Sequence, residues 1–290
     1  MVGFAGGRAQ THVRLRGWWG VAGGRAQRHV RLRTDRPRGI PTTFPRLNQI
    51  SRYRRNENPL STHSDVHPLD DPIRSSLLGA HARFARTVGR SFRFDPEVAP
   101  FLGHPPVIEN EDWDDIAELF GPGEIVSLRG IGHQLPAGWE LIDQFGLVQL
   151  VGTHLETRPY PFAVHLGAGD VPDMLDLVER TKPGPFLPRT FELGTYLGIR
   201  ESGKLIAMAG ERMHPEGWTE ISAVCTDPAH RGRGLATELV RAVGHGIRER
   251  GEKPFLHASA SNENAIRLYL SIGFELRQRS QLTLARTPAR

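Results

Sequence analysis

Late in the chain the sequence runs Val224-Cys225-Thr226-Asp227-Pro228-Ala229-His230-Arg231-Gly232-Arg233-Gly234-Leu235-Ala236-Thr237. A strand-like run ends at Thr226, a turn follows, and Leu235, Leu239, Val240, Val243 and Ile247 then recur at helical core spacing. Gly232 and Gly234 allow the backbone to turn sharply and to approach a ligand with no Cβ in the way. Amide N–H groups point outward at the start of the helix, where the macrodipole also favours negative charge. Arg231 and Arg233 add cationic donors. The chemistry this pattern suits is the cradling of a pyrophosphate. The turn lacks the Gly-Lys-Ser/Thr of a nucleotide P-loop. It also lacks the third glycine and the later acidic residue of a dinucleotide fingerprint.

A second cluster follows in the stretch from Ser259 to Phe274, with Asn262, Ala265, Leu268, Tyr269, Gly273 and Phe274 at fixed spacing. Together the two segments resemble the GNAT N-acetyltransferase family. In that family Arg/Gln-x-x-Gly-x-Gly/Ala opens the helix that holds the acyl-CoA pyrophosphate, and Arg231, Gly234 and Ala236 match it. The family pattern Asn-x-x-Ala-x-x-Leu-Tyr-x-x-x-Gly-Phe matches at the six positions of the second cluster. The resemblance covers about residues 162–286. More loosely, the preceding half, 70–160, looks like the N-terminal part of glycine N-acyltransferase-like members, with no motif to quote for it.

The resemblance implies roles residue by residue. The backbone of Val224, Cys225 and Thr226 would pair with the pantetheine arm of acetyl-CoA, and Arg231, Gly232, Arg233, Gly234, Leu235, Ala236 and Thr237 would hold its diphosphate. The Asn262 amide either bonds the pantetheine region or caps the next helix. Tyr269 would lie near the thioester sulfur, where a phenol of pKa ~10 can protonate a departing thiolate of pKa ~8.5. A backbone N–H on the splayed strand would polarise the carbonyl oxygen. For the base that frees the amine, Glu220 is the first candidate, directly or through water, and His257, with a pKa near ~6.5, the second. Cys225 is expected to be a buried strand residue, because direct transfer needs no acyl-enzyme. The implied function is an acetyl-CoA-dependent N-acetyltransferase, without a metal, acting on a small amine or an amino acid. A peptide or protein amine is the alternative acceptor. A non-catalytic acyl-CoA-binding protein with a nucleic-acid-contacting arm is the alternative from another class.

These residues need a scaffold, and the rest of the 290-residue chain supplies its signals. Thirteen Arg against Asp35 and Glu57 put +11 on residues 1–58, leaving −6 on the remainder of a chain whose total is +5. The basic pI therefore belongs to the leader, and no nucleic-acid partner is expected for the body. The body's negative charge leans slightly toward a cationic acceptor. Within the leader, Gly6–Arg16 returns as Gly23–Arg33 with one difference in eleven positions. Two copies are too few for a solenoid, and the composition cannot bury enough apolar surface to offset ordering entropy. Residues 1–68 are expected to be a disordered Arg-rich extension. One cysteine excludes an internal disulfide and fits a reducing, cytoplasmic location. No 18-residue apolar run, secretory signal or metal-ligand spacing occurs. Monomer and homodimer both stay open.

From Leu69, Pro72 starts a helix in which Ile73, Leu77, Leu78, Phe84 and Val88 share a face. A second helix is expected at Asp112–Phe120, and strands at Glu124–Leu128 and Leu147–Val151. Beyond Phe162 the pattern gives a strand to Leu166 and an amphipathic helix through Val178. A hairpin follows at Tyr196–Arg200 and Lys204–Arg212, then a strand at Trp218–Thr226 and a helix at Gly234–Arg250. A strand at Phe255–Ser259, a helix at Glu263–Ser271 and two strands at Phe274–Arg277 and Gln281–Leu284 close the chain. This interleaving defines an α/β (α+β) protein. The resemblance refines it to a GNAT fold, with a mixed central sheet, a splayed strand pair and flanking helices. The expected divisions are 1–68, an N-terminal α/β subdomain at 69–160, and the acetyltransferase domain at 161–290.

Overall fold

A computed structural model of the protein describes residues 67–131 and 135–289, so the predicted Arg-rich extension, apart from His67 and Pro68, lies outside the described residues. The first helix, α1 (Pro72–Leu78), starts where expected. The Asp71 carboxylate accepts from the Arg74 amide at 3.0 Å, and Pro72 occupies the first turn, where no N–H is needed. The helix does not continue to Val88. Gly79 caps it, a single 3-10 turn (Ala82–Phe84) follows, and the chain enters a hairpin of β1 (Ala85–Val88) and β2 (Ser91–Phe94). Gly89 supplies the left-handed residue that the two-residue connection requires. Phe84 and Phe94 join Leu69, Leu77 and Phe101 in one cluster, so their spacing serves a hairpin packed on a helix. Strand β3 (Leu102–Gly103) completes this small sheet, and α2 (Asn110–Phe120) ends at Gly121, φ 88°.

The main sheet holds β4 (Ile125–Arg129), β5 (Glu140–Val151), β6 (Val164–Leu166), β7 (Tyr196–Glu201), β8 (Lys204–Glu211), β9 (Trp218–Thr226), β10 (Lys253–Ser259) and β11 (Glu275–Arg286). Their order is β4-β11-β5-β10-β9-β8-β7-β6, with β9 and β10 parallel and the other neighbours antiparallel. The two strands expected near the C-terminus are one, β11, whose pairing with β5 shifts register between Leu276 and Gln278. That irregularity makes one strand look like two in the sequence. Helix α3 (Val171–Thr181) buries Met174, Leu177 and Val178 against Tyr196, Met208 and Cys225 on one face. On the other face α4 (Leu235–Glu249) sets Leu239, Val240, Val243 and Ile247 against Leu197, Ile206, Ile221 and Leu256, joined by Tyr269 of α5 (Glu263–Ser271). Burying each such side chain is worth ~1.5–3 kcal/mol, and this packing fixes both helices to the sheet.

Two irregularities matter for the site. Strands β9 and β10 pair only where Trp218–Glu220 lies beside Lys253–Phe255; beyond, each runs on with no partner in the other. The strands therefore part. Between β8 and β9 the register steps from Met208↔Cys225 to Gly210↔Ser222, one residue more on β9 than on β8. This bulge leaves Ala223 at φ 52°, in the left-handed region, and bends the strand.

Candidate active site

Where β9 and β10 part, a cleft of about 550 Å³ opens, walled by Val224, Cys225, Thr226, Arg231, Ala236, His257, Asn262 and Tyr269 among others. Eight of the residues singled out from the sequence thus meet in one place.

At one end the wall is the turn into α4. Gly232 and Gly234 have φ of 79° and 76°, and a Cβ at either would meet nothing within 4 Å. The glycines are there for backbone conformation, and crowding plays no part. Among the described residues, none of the amides from Arg231 to Thr237 donates a hydrogen bond within the protein. Such a row of free donors at a helix N-terminus suits an oxyanion of the diphosphate type. Thr226 Oγ1 is buried beside it with no partner. Arg231 lines the cleft, but Arg233 turns aside and pairs with Glu201 at 3.0 Å. Leu235 is buried in the core, and of the predicted turn residues Gly232, Arg233, Gly234, Leu235 and Thr237 are not among those walling the cleft.

The turn is braced by a residue whose role the sequence reading missed. Asp227, buried, accepts from the Ala229 amide at 3.0 Å, from Lys204 at 3.2 Å and from Arg180. The Ala229 hydrogen bond, then Lys204 and Arg180, hold its carboxyl far below the usual range against the opposing effect of burial. The Asp-Pro pair before the turn was its one local signal; Arg180 and Lys204 come from other elements.

Tyr269 packs edge-on against Phe274, with ring centroids 5.8 Å apart, and reaches the cleft wall. Burial, then the neighbouring Cys225, pushes its phenol up to about 12. Burial likewise lifts the Cys225 thiol to about 12, so it stays protonated. Asn262 Oδ1 accepts from the Ala265 amide at 3.1 Å, the helix-capping alternative, while its side chain also lines the cleft.

The other end is a chain of side chains. Glu220, fully buried, takes Arg212 Nε and Nη2 on its two oxygens, each at 2.7 Å, and His257 Nδ1 at 2.7 Å on Oε1. Burial alone would raise its carboxyl, but Arg212 and His257 overcome this and leave it low. Gln149 Oε1 accepts from Arg277 at 2.8 Å, which orients the amide. Gln149 Nε2 then donates to the Leu69 carbonyl at 2.9 Å and to His257 Nε2 at 3.1 Å. His257 is accordingly the neutral Nδ1–H tautomer, and burial lowers its pKa. Of the two base candidates, His257 walls the cleft with its Nε2 accepting from Gln149, and Glu220 lies behind it, in contact with His257 Nδ1 and Arg212.

The family model described as FR47-like protein matches residues 196–282. A solved GNAT-family structure from Novosphingobium aromaticivorans is 38% identical, with a TM-score of 0.70 over 76% of this chain and 98% of that one. The chain belongs to the GNAT family. It is 37% identical over 82 residues to mycothiol acetyltransferase of Thermomonospora curvata, 28% of this chain and 27% of that protein. It is 34% identical over 83 residues to the N-alpha-acetyltransferase RimI of Mycobacterium tuberculosis, 28% of this chain and 51% of that protein. The chain thus spans about a quarter and about half of the curated relatives it matches. No helix among the described residues is long and apolar enough to cross a membrane.

Proposed function

We propose that the protein, in the cytoplasm, transfers acetyl from acetyl-CoA directly to the nitrogen of a small amine. Within the family we group it with the glycine N-acyltransferase-like members. The observation that carries the reading is the row of unpaired amides from Arg231 to Thr237, a stretch whose Arg231 and Ala236 wall the cleft. Those amides and Arg231 hold the diphosphate, and Val224–Thr226 align the pantetheine arm along the free edge of β9. The coenzyme supplies an activated thioester. Tyr269 keeps its proton at Oη, because burial pushes the phenol up to about 12, and from the cleft wall it donates a hydrogen bond to the departing sulfur. Glu220 stands behind His257, and the His257 Nε2 lone pair accepts from Gln149, which suits an α-amine of pKa ~8, already partly neutral near neutral pH. Residues 161–290 form the coenzyme-binding domain. Residues 69–160 form an N-terminal α/β subdomain that builds the acceptor end through Leu69, Gln149 and β4.

Thiol release from acetyl-CoA across a panel of amines, run beside calorimetric binding of acetyl-CoA, tests this. Micromolar binding and acceptor-dependent thiol release are expected. Binding weaker than millimolar with no amine consumed would end the reading; turnover confined to peptide N-termini would replace its acceptor.

A further inference from the structure

Between β5 and β6 the chain crosses α4 in the direction opposite to the helix. A Cβ added at Gly244 would lie 2.7 Å from the Leu155 side chain and 3.1 Å from that of Thr157. Arg241 faces Glu156 at 3.8 Å, and Glu238 accepts from Arg158 at 2.6 Å. The Arg233 guanidinium, held chiefly by Glu201, also feels the Tyr160 phenol. The crossing therefore runs from the second half of α4 to its N-terminal turn, and Tyr160 arrives close to the stretch of unpaired amides, Arg231–Thr237.

There the chain turns. The Ala163 amide donates to the Tyr160 carbonyl at 3.0 Å, with Pro161 and Phe162 between them. Proline suits the second place of such a turn, because its ring fixes φ. Phe162 stands at the crest, 71% exposed, with its ring centroid 5.5 Å from that of Tyr160. Tyr160 in turn packs on the core that α4 covers. A lone exposed apolar side chain needs no explanation. Phe162 is different: Pro159 and Pro161 stiffen its support, and Tyr160 backs its ring.

A coenzyme diphosphate seated on Arg231–Thr237 has two arms. The cleft between β9 and β10 takes the pantetheine, so the nucleoside leaves the diphosphate outside the cleft walls, and neither Tyr160 nor Phe162 is one of those walls. A rigid aromatic ring next to that exit offers a base a face to stack on. Resting on the acetyl-transfer reading above, we infer that Phe162, backed by Tyr160, is the platform for the purine of acetyl-CoA, so that the crossing between β5 and β6 supplies part of the coenzyme site. The contact adds to coenzyme affinity and takes no part in the chemistry.

Calorimetry on the full chain tests this by comparing acetyl-CoA with S-acetyl-4′-phosphopantetheine, which keeps the thioester arm and lacks the nucleoside. Phe162→Ala is expected to weaken acetyl-CoA binding about tenfold, within the range of one base–aromatic stack, and to leave binding of the truncated donor unchanged. Phe162→Trp should keep the affinity of the unsubstituted protein. The Phe162 side chain is exposed, so neither substitution opens the core. Unaltered acetyl-CoA affinity in Phe162→Ala overturns the inference alone, as does equal weakening toward both donors. Loss of self-association in Phe162→Ala with coenzyme affinity intact overturns it too, and assigns the crest to a second copy of the chain. No binding of either donor to the unsubstituted protein, and no turnover with any amine, overturns the acetyl-transfer reading and this inference with it.

Discussion

At the proposed diphosphate end of the cleft the groups offered to a ligand are the unpaired backbone amides of one short stretch, Arg231–Thr237. At the proposed acceptor end they are the side chains of Arg212, just past β8, and of His257 on β10, supported by β5, β9 and the Leu69 carbonyl ahead of α1. The first end needs conformation only: two left-handed glycines and a helix start. The second needs burial, ion pairing and a fixed amide orientation at once. A feature built of contiguous backbone tolerates change in the surrounding side chains, whereas one built of buried charges fails when a single partner is lost.

Substitutions at the two ends should separate these modes. The largest effect belongs to Glu220→Ala, which leaves Arg212 buried and unpaired and should cost ~3–5 kcal/mol of stability, read from the urea midpoint. Comparable in rate terms, Tyr269→Phe should lower kcat by ~10²- to 10⁴-fold with acetyl-CoA affinity unchanged. A loss of affinity instead would mean that the ring positions the coenzyme and does not act as an acid. A third effect concerns the support behind the acceptor end. His81 donates from Nε2 to the Leu193 carbonyl at 3.0 Å, its Nδ1 is buried without a partner, and His214 lies 5.0 Å away ring to ring. Burial, then His214, lowers its pKa from 6.5 to about 4. Because the folded pKa is below the unfolded one, this contribution is complete above pH 6.5 and is lost as pH falls toward 4. The loss amounts to ~3 kcal/mol, and His81→Gln should flatten that slope in denaturation series. The smallest effect is Gly234→Ala, ~1–2 kcal/mol from forcing an L-residue into the left-handed region. It should appear as roughly tenfold weaker acetyl-CoA binding with a fall in stability no larger than that strain, well short of the loss from Glu220→Ala.

The same contrast explains what could be read from residue order. The turn at Arg231–Thr237, the strand at Trp218–Thr226 and the helix at Glu263–Ser271 are local patterns, and the structure has them with the expected bounds. The hairpin β1–β2 hid inside apparent helical spacing because Phe84 buries from the 3-10 turn just before β1 and Val88 ends β1 at the Gly89 turn. Glu220 and His257 stood out as titratable groups near the site, but their hydrogen bonds to Arg212 and Gln149 come from residues far off in the chain. Asp227, Arg180 and Lys204 escaped notice for the same reason.

Gln149 joins the Leu69 main chain to the imidazole of His257. A backbone atom just ahead of the first helix therefore helps to fix which ring nitrogen carries hydrogen at the mouth of the parted strands, together with Arg277 on the Gln149 oxygen and Glu220 on His257 Nδ1. Proteolytic trimming past Leu69 would remove one of the polar partners that hold Gln149 against the ring. A change of that kind would register in the imidazole's NMR titration well before any helix was lost.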